Sequence, residues 1–139
     1  MTVPMEYRQA TVDFERFLLD ARDIAGLQTT NQAYTVVEAV LCTFRRRLEV
    51  PDALLFANAL PAVLRAIFVA DWDLEEPTVP FSGRRTMTRE VQAFRGDHKL
   101  SPDTAIADVA AALRRHVDET TLDRVLARLP AGAVDFWRA

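Results

Sequence analysis

The fold of this chain is decided by the stretch 60-LPAVLRAIFVADW-72, which returns near the C-terminus as 129-LPAGAVDFW-137. Leu129 follows Leu60 by 69 residues, and an ungapped match at that spacing runs from about residue 36 to 68. A match of this length within 139 residues indicates an internal repeat. The protein is therefore predicted to consist of two similar halves. The matching pairs include Val37 and Ile106, Val40 and Val109, Leu41 and Ala110, Phe44 and Leu113, Leu48 and Val117, and the double arginines Arg45-Arg46 and Arg114-Arg115.

Length, charge and cysteine content narrow the classes of function. A chain of 139 residues is enough for one ordinary domain, so 1–139 is predicted to be a single domain. Its net charge of −3 argues against general nucleic-acid binding, which usually needs a strongly basic surface. The single cysteine, Cys42, excludes an intramolecular disulfide and a cysteine-based zinc site, and nothing indicates an oxidising compartment.

No segment has the pattern of a targeting or membrane sequence. The first residues lack a charged lead followed by an apolar run, so no signal peptide is predicted. The most apolar region, 54–70, is interrupted by Asn58, Pro61 and Arg65 and falls short of the roughly 20 residues of a membrane span. We therefore expect a soluble cytoplasmic protein without a membrane segment.

Apolar residues recur at three- and four-residue spacings along the chain, which predicts helices. No stretch alternates with period two for long enough to be a strand. The first repeat is assigned to 5–70, a linker to 71–83 and the second repeat to 84–137. The predicted fold is all-α, with about eight helices in two similar four-helix halves that pack about a pseudo-twofold axis.

Helix boundaries are indicated by capping residues and prolines. Gly26 is predicted to end the first helix, because glycine adopts the left-handed conformation without steric cost. The helix that opens at Pro61 is so apolar that it is expected to be the most buried element of the first half. The predicted helix starts are Thr29-Thr30-Asn31, Pro51, Pro61, Ser101-Pro102-Asp103, Thr120 or Thr121, and Leu129-Pro130.

These motifs resemble a bacterial family, the domain of unknown function 2267, over nearly the whole chain. The resemblance implies an all-α bacterial domain, and it supplies no reaction, cofactor or catalytic residue. The residues that carry it are Ala33-Tyr34, Ala39-Val40-Leu41, Phe44-Arg45-Arg46-Arg47-Leu48, Leu60-Pro61, Leu64-Arg65, Phe68, Asp71-Trp72-Asp73, Leu113-Arg114-Arg115-His116-Val117 and Leu129-Pro130.

The arginine clusters Arg45-Arg46-Arg47 and Arg114-Arg115 are the best candidates for recognition. If the two clusters meet, their forked guanidinium donors could hold a phosphate or an acidic partner. The other interpretation is that they complement the partial negative charge at helix C-termini and otherwise face solvent.

The linker acids, the two histidines and the cysteine lack the neighbouring residues that a metal site or a catalytic site requires. The linker acids Asp71, Asp73, Glu75 and Glu76 have no turn-making glycine among them, so no metal site is predicted. No cofactor is expected either. His98 and His116 are predicted to lie at the surface, and Cys42 to be a packed or partly exposed thiol rather than a nucleophile.

The repetition of the Leu-Pro motif within the chain favours an architectural role. Trp72 and Trp137 follow the two motifs and are expected to pack in the core or between the halves, with partner binding as the alternative. The structural motif comprises Leu60, Pro61, Leu64, Phe68, Trp72, Leu129, Pro130 and Trp137.

No catalytic constellation is present in the sequence, so the protein is expected not to be an enzyme. The first hypothesis is a helical module that acts through protein–protein contact or as a scaffold, with a second copy of the chain as one candidate partner. The alternative is a module that binds a small ligand or an anion, through a pocket or the arginine clusters between the halves.

Overall fold

The computed structural model describes residues 2–94 and 100–139, and this part of the chain forms nine helices and no strand. The all-α prediction is confirmed. The predicted first helix is interrupted at Gln9, whose φ of −104° and ψ of 12° leave the helical region, so a one-turn helix precedes the main one. The helices are α1 (Met5–Arg8), α2 (Ala10–Ala25), α3 (Thr30–Arg45), α4 (Val50–Ala57), α5 (Ala62–Val69), α6 (Arg84–Ala93), α7 (Ala105–Arg115), α8 (Glu119–Leu126) and α9 (Ala133–Phe136).

The turn between α2 and α3 follows from local sequence signals. Gly26 ends α2 in the left-handed conformation, with φ of 69°. Thr29 then caps α3, because its hydroxyl accepts a hydrogen bond from the backbone N–H of Gln32 at 3.1 Å. The side-chain oxygen of Gln32 accepts a hydrogen bond from the backbone N–H of Thr29 at 3.2 Å, which completes a capping box. Both boundaries lie where the sequence predicts them.

Three helix starts in the second half differ from the sequence prediction. The predicted start at Ser101-Pro102-Asp103 is wrong, because α7 begins at Ala105. Gln92 on α6 explains the delay: its amide donates hydrogen bonds to the Ser101 carbonyl at 3.1 Å and to the Asp103 carboxylate at 2.8 Å.

The last two helices also begin at other residues than expected. Asp118, and neither Thr120 nor Thr121, caps α8, since its carboxylate accepts a hydrogen bond from the Thr120 N–H at 3.2 Å. The final helix begins after Gly132 rather than at Pro130, because Gly132 has a φ of 104° that a helix cannot contain.

The most buried helix of the first half is α3 rather than α5. Eight residues of α3 are buried, whereas α5 buries only Leu64 and Phe68. The expectation for α5 is wrong because Val63 and Ile67 remain partly accessible at the surface. One apolar side of α5 therefore lies against solvent-accessible space.

Two helices, α3 and α7, form the centre of the fold and pack against each other. The first long helix of each half contacts the central helices of both halves: α2 packs on α3 and α7, and α6 packs on the same pair. Helix α5 packs against α2, α3 and α4, while α8 contacts α4 and α9. The pseudo-twofold arrangement of the two halves stays a prediction.

The core is a single cluster built largely around aromatic rings. The ring of Phe44 on α3 lies 4.7 Å from Phe56, 4.9 Å from Phe136 and 5.4 Å from Trp137, measured between ring centres. Trp137 stacks on Phe56 at 5.4 Å, and Phe56 contacts Phe68 at 5.1 Å. The end of the chain is thus packed into the first half. Within the described residues, no helix has the length and apolar character needed to cross a membrane.

Replacement of Trp137 by alanine is expected to lower the free energy of unfolding by about 3–5 kcal/mol, because it removes a fully buried aromatic side chain and leaves a cavity. The matched control is Trp72→Ala, which removes a partly exposed ring and is expected to cost clearly less. Chemical denaturation of both variants measures the difference. Equal losses would contradict the assignment of Trp137 to the core.

Candidate functional site

Arg45 closes the C-terminal end of α5. Its Nη1 donates hydrogen bonds to the carbonyl oxygens of Phe68 and Ala70, at 2.9 and 3.0 Å. The last carbonyl groups of a helix have no partner within the helix, so a guanidinium placed there satisfies them and complements their partial negative charge. The guanidinium carbon also lies 5.4 Å from the centre of the Trp72 ring, within cation–π distance. Arg45 therefore fixes the end of α5 and the start of the linker.

Arg114 makes the equivalent contact in the second half. Its Nε donates a hydrogen bond to the carbonyl oxygen of Trp137 at 2.9 Å, and its Nη1 lies 3.0 Å from Asp123. Arg114 follows Arg45 by 69 residues, and Trp137 follows Phe68 by the same number. The two arginine–carbonyl bonds are therefore related by the spacing of the repeat. The first arginine of each pair is part of the architecture.

Arg46 and Arg47 both bind Glu90 on α6. Nη1 of Arg46 lies 2.5 Å from Glu90, and its Nε lies 3.1 Å from Glu76 in the linker. Arg47 is only 4% exposed; its Nη2 binds Glu90, and its Nη1 donates a hydrogen bond to the Thr43 carbonyl at 2.8 Å. A buried charge is tolerated only when it is paired and hydrogen-bonded. Glu90 is therefore required where Arg47 is buried.

These contacts occupy most of the candidate arginines. Four of the five have acceptors within the chain, while Arg115 is exposed and forms no ion pair with the described residues. The two clusters share none of the partners described above. The arrangement supports the interpretation that the arginines complete helix ends and join elements, rather than forming one anion site.

Two contacts, each between a basic and an acidic side chain, join the two halves. Arg47 of the first half binds Glu90 of the second, and His116 of the second half lies 2.6 Å from Asp20 of the first, between Nε2 and Oδ2. His116 follows Arg47 by 69 residues, and Glu90 follows Asp20 by 70. A basic and an acidic residue thus correspond in both contacts to within one residue of the repeat spacing.

The sequence interpretation of His116 as a surface residue is incomplete. Its side chain is 20% exposed, and the ring meets Phe17 edge-on at 5.6 Å between ring centres. Asp20 and Glu90 were not recognised as site residues from the sequence. The repeat spacing is the signal that could have found them, because it places an acid on the first long helix of each half. His98 lies outside the described residues.

The linker acids are arranged within the protein rather than around a cation. Glu76 binds Arg46, and the carboxylate of Asp73 accepts a hydrogen bond from the Glu75 N–H at 3.0 Å. Residues 2–94 and 100–139 contain no group of three or more acidic, histidine or cysteine side chains placed to hold a metal ion.

Cys42 lies in a shallow depression beside Arg45, Asp71 and Phe94. Burial raises the pKa of the Cys42 thiol above its usual value, although the positive charge of Arg45 acts in the opposite direction. A raised pKa leaves little of the thiolate, which is the nucleophilic form, at neutral pH. The position is that of an unreactive thiol.

A cleft of about 380 Å³ opens between α1, α2, the start of α5 and His116. This volume lies within the range of about 300–1,000 Å³ typical of ligand sites. Its apolar wall contains Phe14, Phe17, Val63 and Leu64. Its charged and polar groups are Glu6, Asp13, Arg16 and His116, so both halves contribute to it.

Arg65 holds the mouth of this cleft in place. Its Nε and Nη2 donate hydrogen bonds to the carbonyl oxygens of Ala57 and Leu60, at 3.2 and 3.1 Å. From that anchored position its guanidinium lies 3.7 Å from Glu6 and 3.5 Å from the hydroxyl of Tyr7. The one-turn helix α1 is therefore held against α5, with Glu6 at the edge of the cleft.

Gly132 lies at the repeat spacing from Val63, which it follows by 69 residues, and the side chain of Phe81 lies directly on it. A Cβ atom on Gly132 would meet Phe81 Cγ at 2.6 Å, so a larger residue could not fit there. Phe81 also contacts Phe44 at 5.9 Å between ring centres. Phe81 therefore takes the place that a side chain on Gly132 would occupy, whereas Val63 has its own side chain in the wall of the cleft.

Removal of Glu90 is expected to destabilise the protein strongly, because it leaves the buried guanidinium of Arg47 without its acid. We expect Glu90→Ala to cost about 3 kcal/mol, at the lower end for a buried pair since Glu90 is itself 25% exposed. Glu76→Ala, which removes an exposed partner of Arg46, should cost less than about 1 kcal/mol. Urea denaturation compares the two, and similar small losses would show that Arg47 does not depend on Glu90.

Alkylation of Cys42 is expected to have a pH midpoint above that of free cysteine, because a raised pKa delays formation of the thiolate. The rate of reaction with iodoacetamide, followed by mass spectrometry from neutral to alkaline pH, measures the midpoint. The chain unfolded in guanidinium chloride is the control and should regain the ordinary profile. A midpoint below that of the unfolded chain would identify an activated thiol instead.

The comparisons with known proteins agree with the resemblance noted in the sequence. No curated protein matches the chain significantly. The model of the family described as "Uncharacterized conserved protein (DUF2267)" matches residues 14–136, which include the helices that carry the arginine contacts, the cleft wall and the aromatic core. Because this match covers most of the chain, the protein belongs to the DUF2267 family.

Proposed function

We propose that this protein is a non-enzymatic binding module whose ligand enters the cleft between α2, the start of α5 and His116. The observation that carries the proposal is the cleft itself, which has a volume of about 380 Å³ and an apolar wall that includes Phe14, Phe17 and Val63. Packing alone would favour a filled space here, because an accessible apolar wall loses dispersion contacts and stays hydrated.

The arginine clusters are a weaker basis for a binding function. Arg45 and Arg114 already donate to helix carbonyl groups, and Arg46 and Arg47 share Glu90. An external anion would have to displace these acceptors. The cleft, in contrast, combines an apolar wall with a few polar groups, which is the usual composition of a small-ligand site.

A binding role without catalysis is favoured by what lines the cleft. The pair His116–Asp20 resembles a base oriented by a carboxylate, but no serine, threonine or cysteine is among the described residues of the lining. Cys42, with its raised pKa, lies in a separate depression. The described lining therefore supplies no hydroxyl or thiol nucleophile for a covalent mechanism.

Protein–protein contact, the first hypothesis from the sequence, stays a prediction. The large apolar side chains that are exposed belong to many different elements, from α1 and α2 to α4, the linker, the end of α6 and α9. A dedicated interface would gather more of them on one element. We further propose the cytoplasm of a bacterium as its setting, on the sequence resemblance and the lone cysteine.

The cleft is expected to bind an uncharged aromatic probe such as indole. Addition of indole to ¹⁵N-labelled protein should shift the amide resonances of α2 and the first turn of α5, as measured by heteronuclear NMR. Ala10→Trp should abolish the shifts, because Ala10 lines the cleft and a large ring there occupies the space.

The matched control places the same ring elsewhere. Leu54→Trp changes an exposed position on α4 and should leave indole binding as it is. Thermal melts establish that both variants are folded. Shifts that survive in Ala10→Trp, or an absence of shifts in the unmodified protein at the highest soluble indole concentration, would overturn the proposal.

A further inference from the structure

Two charged side chains at the cleft, the partly exposed Asp13 and the exposed Arg16, have no partner among the described residues. No hydrogen bond or ion pair within residues 2–94 and 100–139 engages the carboxylate of Asp13 or the guanidinium of Arg16. The other charged groups of the lining are already engaged: Glu6 lies near Arg65, and His116 binds Asp20. The cleft therefore offers one negatively charged group and one positively charged group to a ligand.

The spacing of these two groups restricts what they can bind together. Asp13 and Arg16 are three residues apart on α2, so their Cβ atoms are neighbours on one face, about 5–6 Å apart. Although they are neighbours, they form no ion pair with each other within 4.0 Å. A ligand that has an ammonium and a carboxylate on the same carbon atom can bind Asp13 and Arg16 at once.

The remainder of the lining is apolar and suits a large side chain. Phe14, Phe17, Val63 and Leu64 form that wall. Two of these four side chains are aromatic, and aromatic rings pack well against one another, offset or edge to face. An aromatic group is therefore the natural occupant of the apolar part.

The first turn of α5 adds to the preference for a negatively charged end. Its start, at Ala62, has no side-chain cap, and Ala62, Val63 and Leu64 all line the cleft. Backbone N–H groups at a helix start favour an anion nearby. This effect assists Arg16 and would not define a site by itself.

Building on the proposed function, we propose that the cleft binds a free α-amino acid with an aromatic or large apolar side chain, as its zwitterion. Asp13 receives the ammonium, Arg16 with the start of α5 receives the carboxylate, and the side chain lies on Phe14 and Phe17. The charges of the ligand then compensate the two partnerless groups of the protein.

The experiment compares phenylalanine with 2-phenylethylamine and 3-phenylpropionate, each titrated into the 139-residue protein by calorimetry. Phenylalanine should bind tightest, and each analogue that lacks one charge should bind about fivefold more weakly, as expected for one partly solvated ion pair. Glycine, which lacks the apolar group, should not bind measurably.

Two single variants assign each charge. Asp13→Asn should weaken phenylalanine and 2-phenylethylamine but leave 3-phenylpropionate unchanged. Arg16→Gln should weaken phenylalanine and 3-phenylpropionate but leave 2-phenylethylamine unchanged. Neither residue has a charge partner among residues 2–94 and 100–139, so both variants should keep the melting temperature of the parent. The series of ligands tests the proposal on the unmodified protein as well.

The outcomes separate this inference from the proposed function. Equal affinity for all three phenyl compounds, or tighter binding of 2-phenylethylamine than of phenylalanine, overturns the zwitterion proposal while indole binding still supports a ligand cleft. Binding of none of the three and no binding of indole overturns both. Effects of the two variants on the wrong analogues also overturn the assignment of the charges.

Discussion

The burial of one guanidinium constrains this fold more than any other single interaction. Arg47 is almost inaccessible, so its charge must be met inside the protein, and Glu90 on α6 meets it. That requirement ties the end of α3 to a helix of the other half. The same helix end supplies Arg46, which reaches both Glu90 and Glu76, so the linker is also held at this point. The course of the chain between the halves follows from a charge that cannot reach water.

Much of the fold could be predicted from the sequence because the signals are local. Gly26 and Thr29 mark a helix boundary through their own backbone and side-chain geometry, and the structure agrees. The start of α7 could not be predicted in the same way. Ser101 and Asp103 have the right chemistry for a helix start, but Gln92, from another helix, donates hydrogen bonds to the Ser101 carbonyl and the Asp103 carboxylate. A prediction from local sequence fails where a side chain from another element binds the same residues.

The candidate site shows a similar division. The arginine clusters were evident from the sequence, yet Arg45 and Arg114 bind carbonyl groups 23 and 25 residues away, which no pattern of side chains reveals. His116 and Asp20 are separated by 96 residues and meet only because α2 packs on α7. A pocket between the halves was one alternative from the sequence, but its place and lining could not be predicted, because they depend on how α1, α2 and the first turn of α5 pack together.

The contact between Phe81 and Gly132 also limits which residues position 132 can accept. A Cβ atom there would lie 2.6 Å from Phe81 Cγ, and the φ of 104° lies in the left-handed region that favours glycine. One constraint is steric and the other conformational, and they act on the same residue. A substitution at Gly132 would therefore have to move the Phe81 ring and change the backbone at the start of α9.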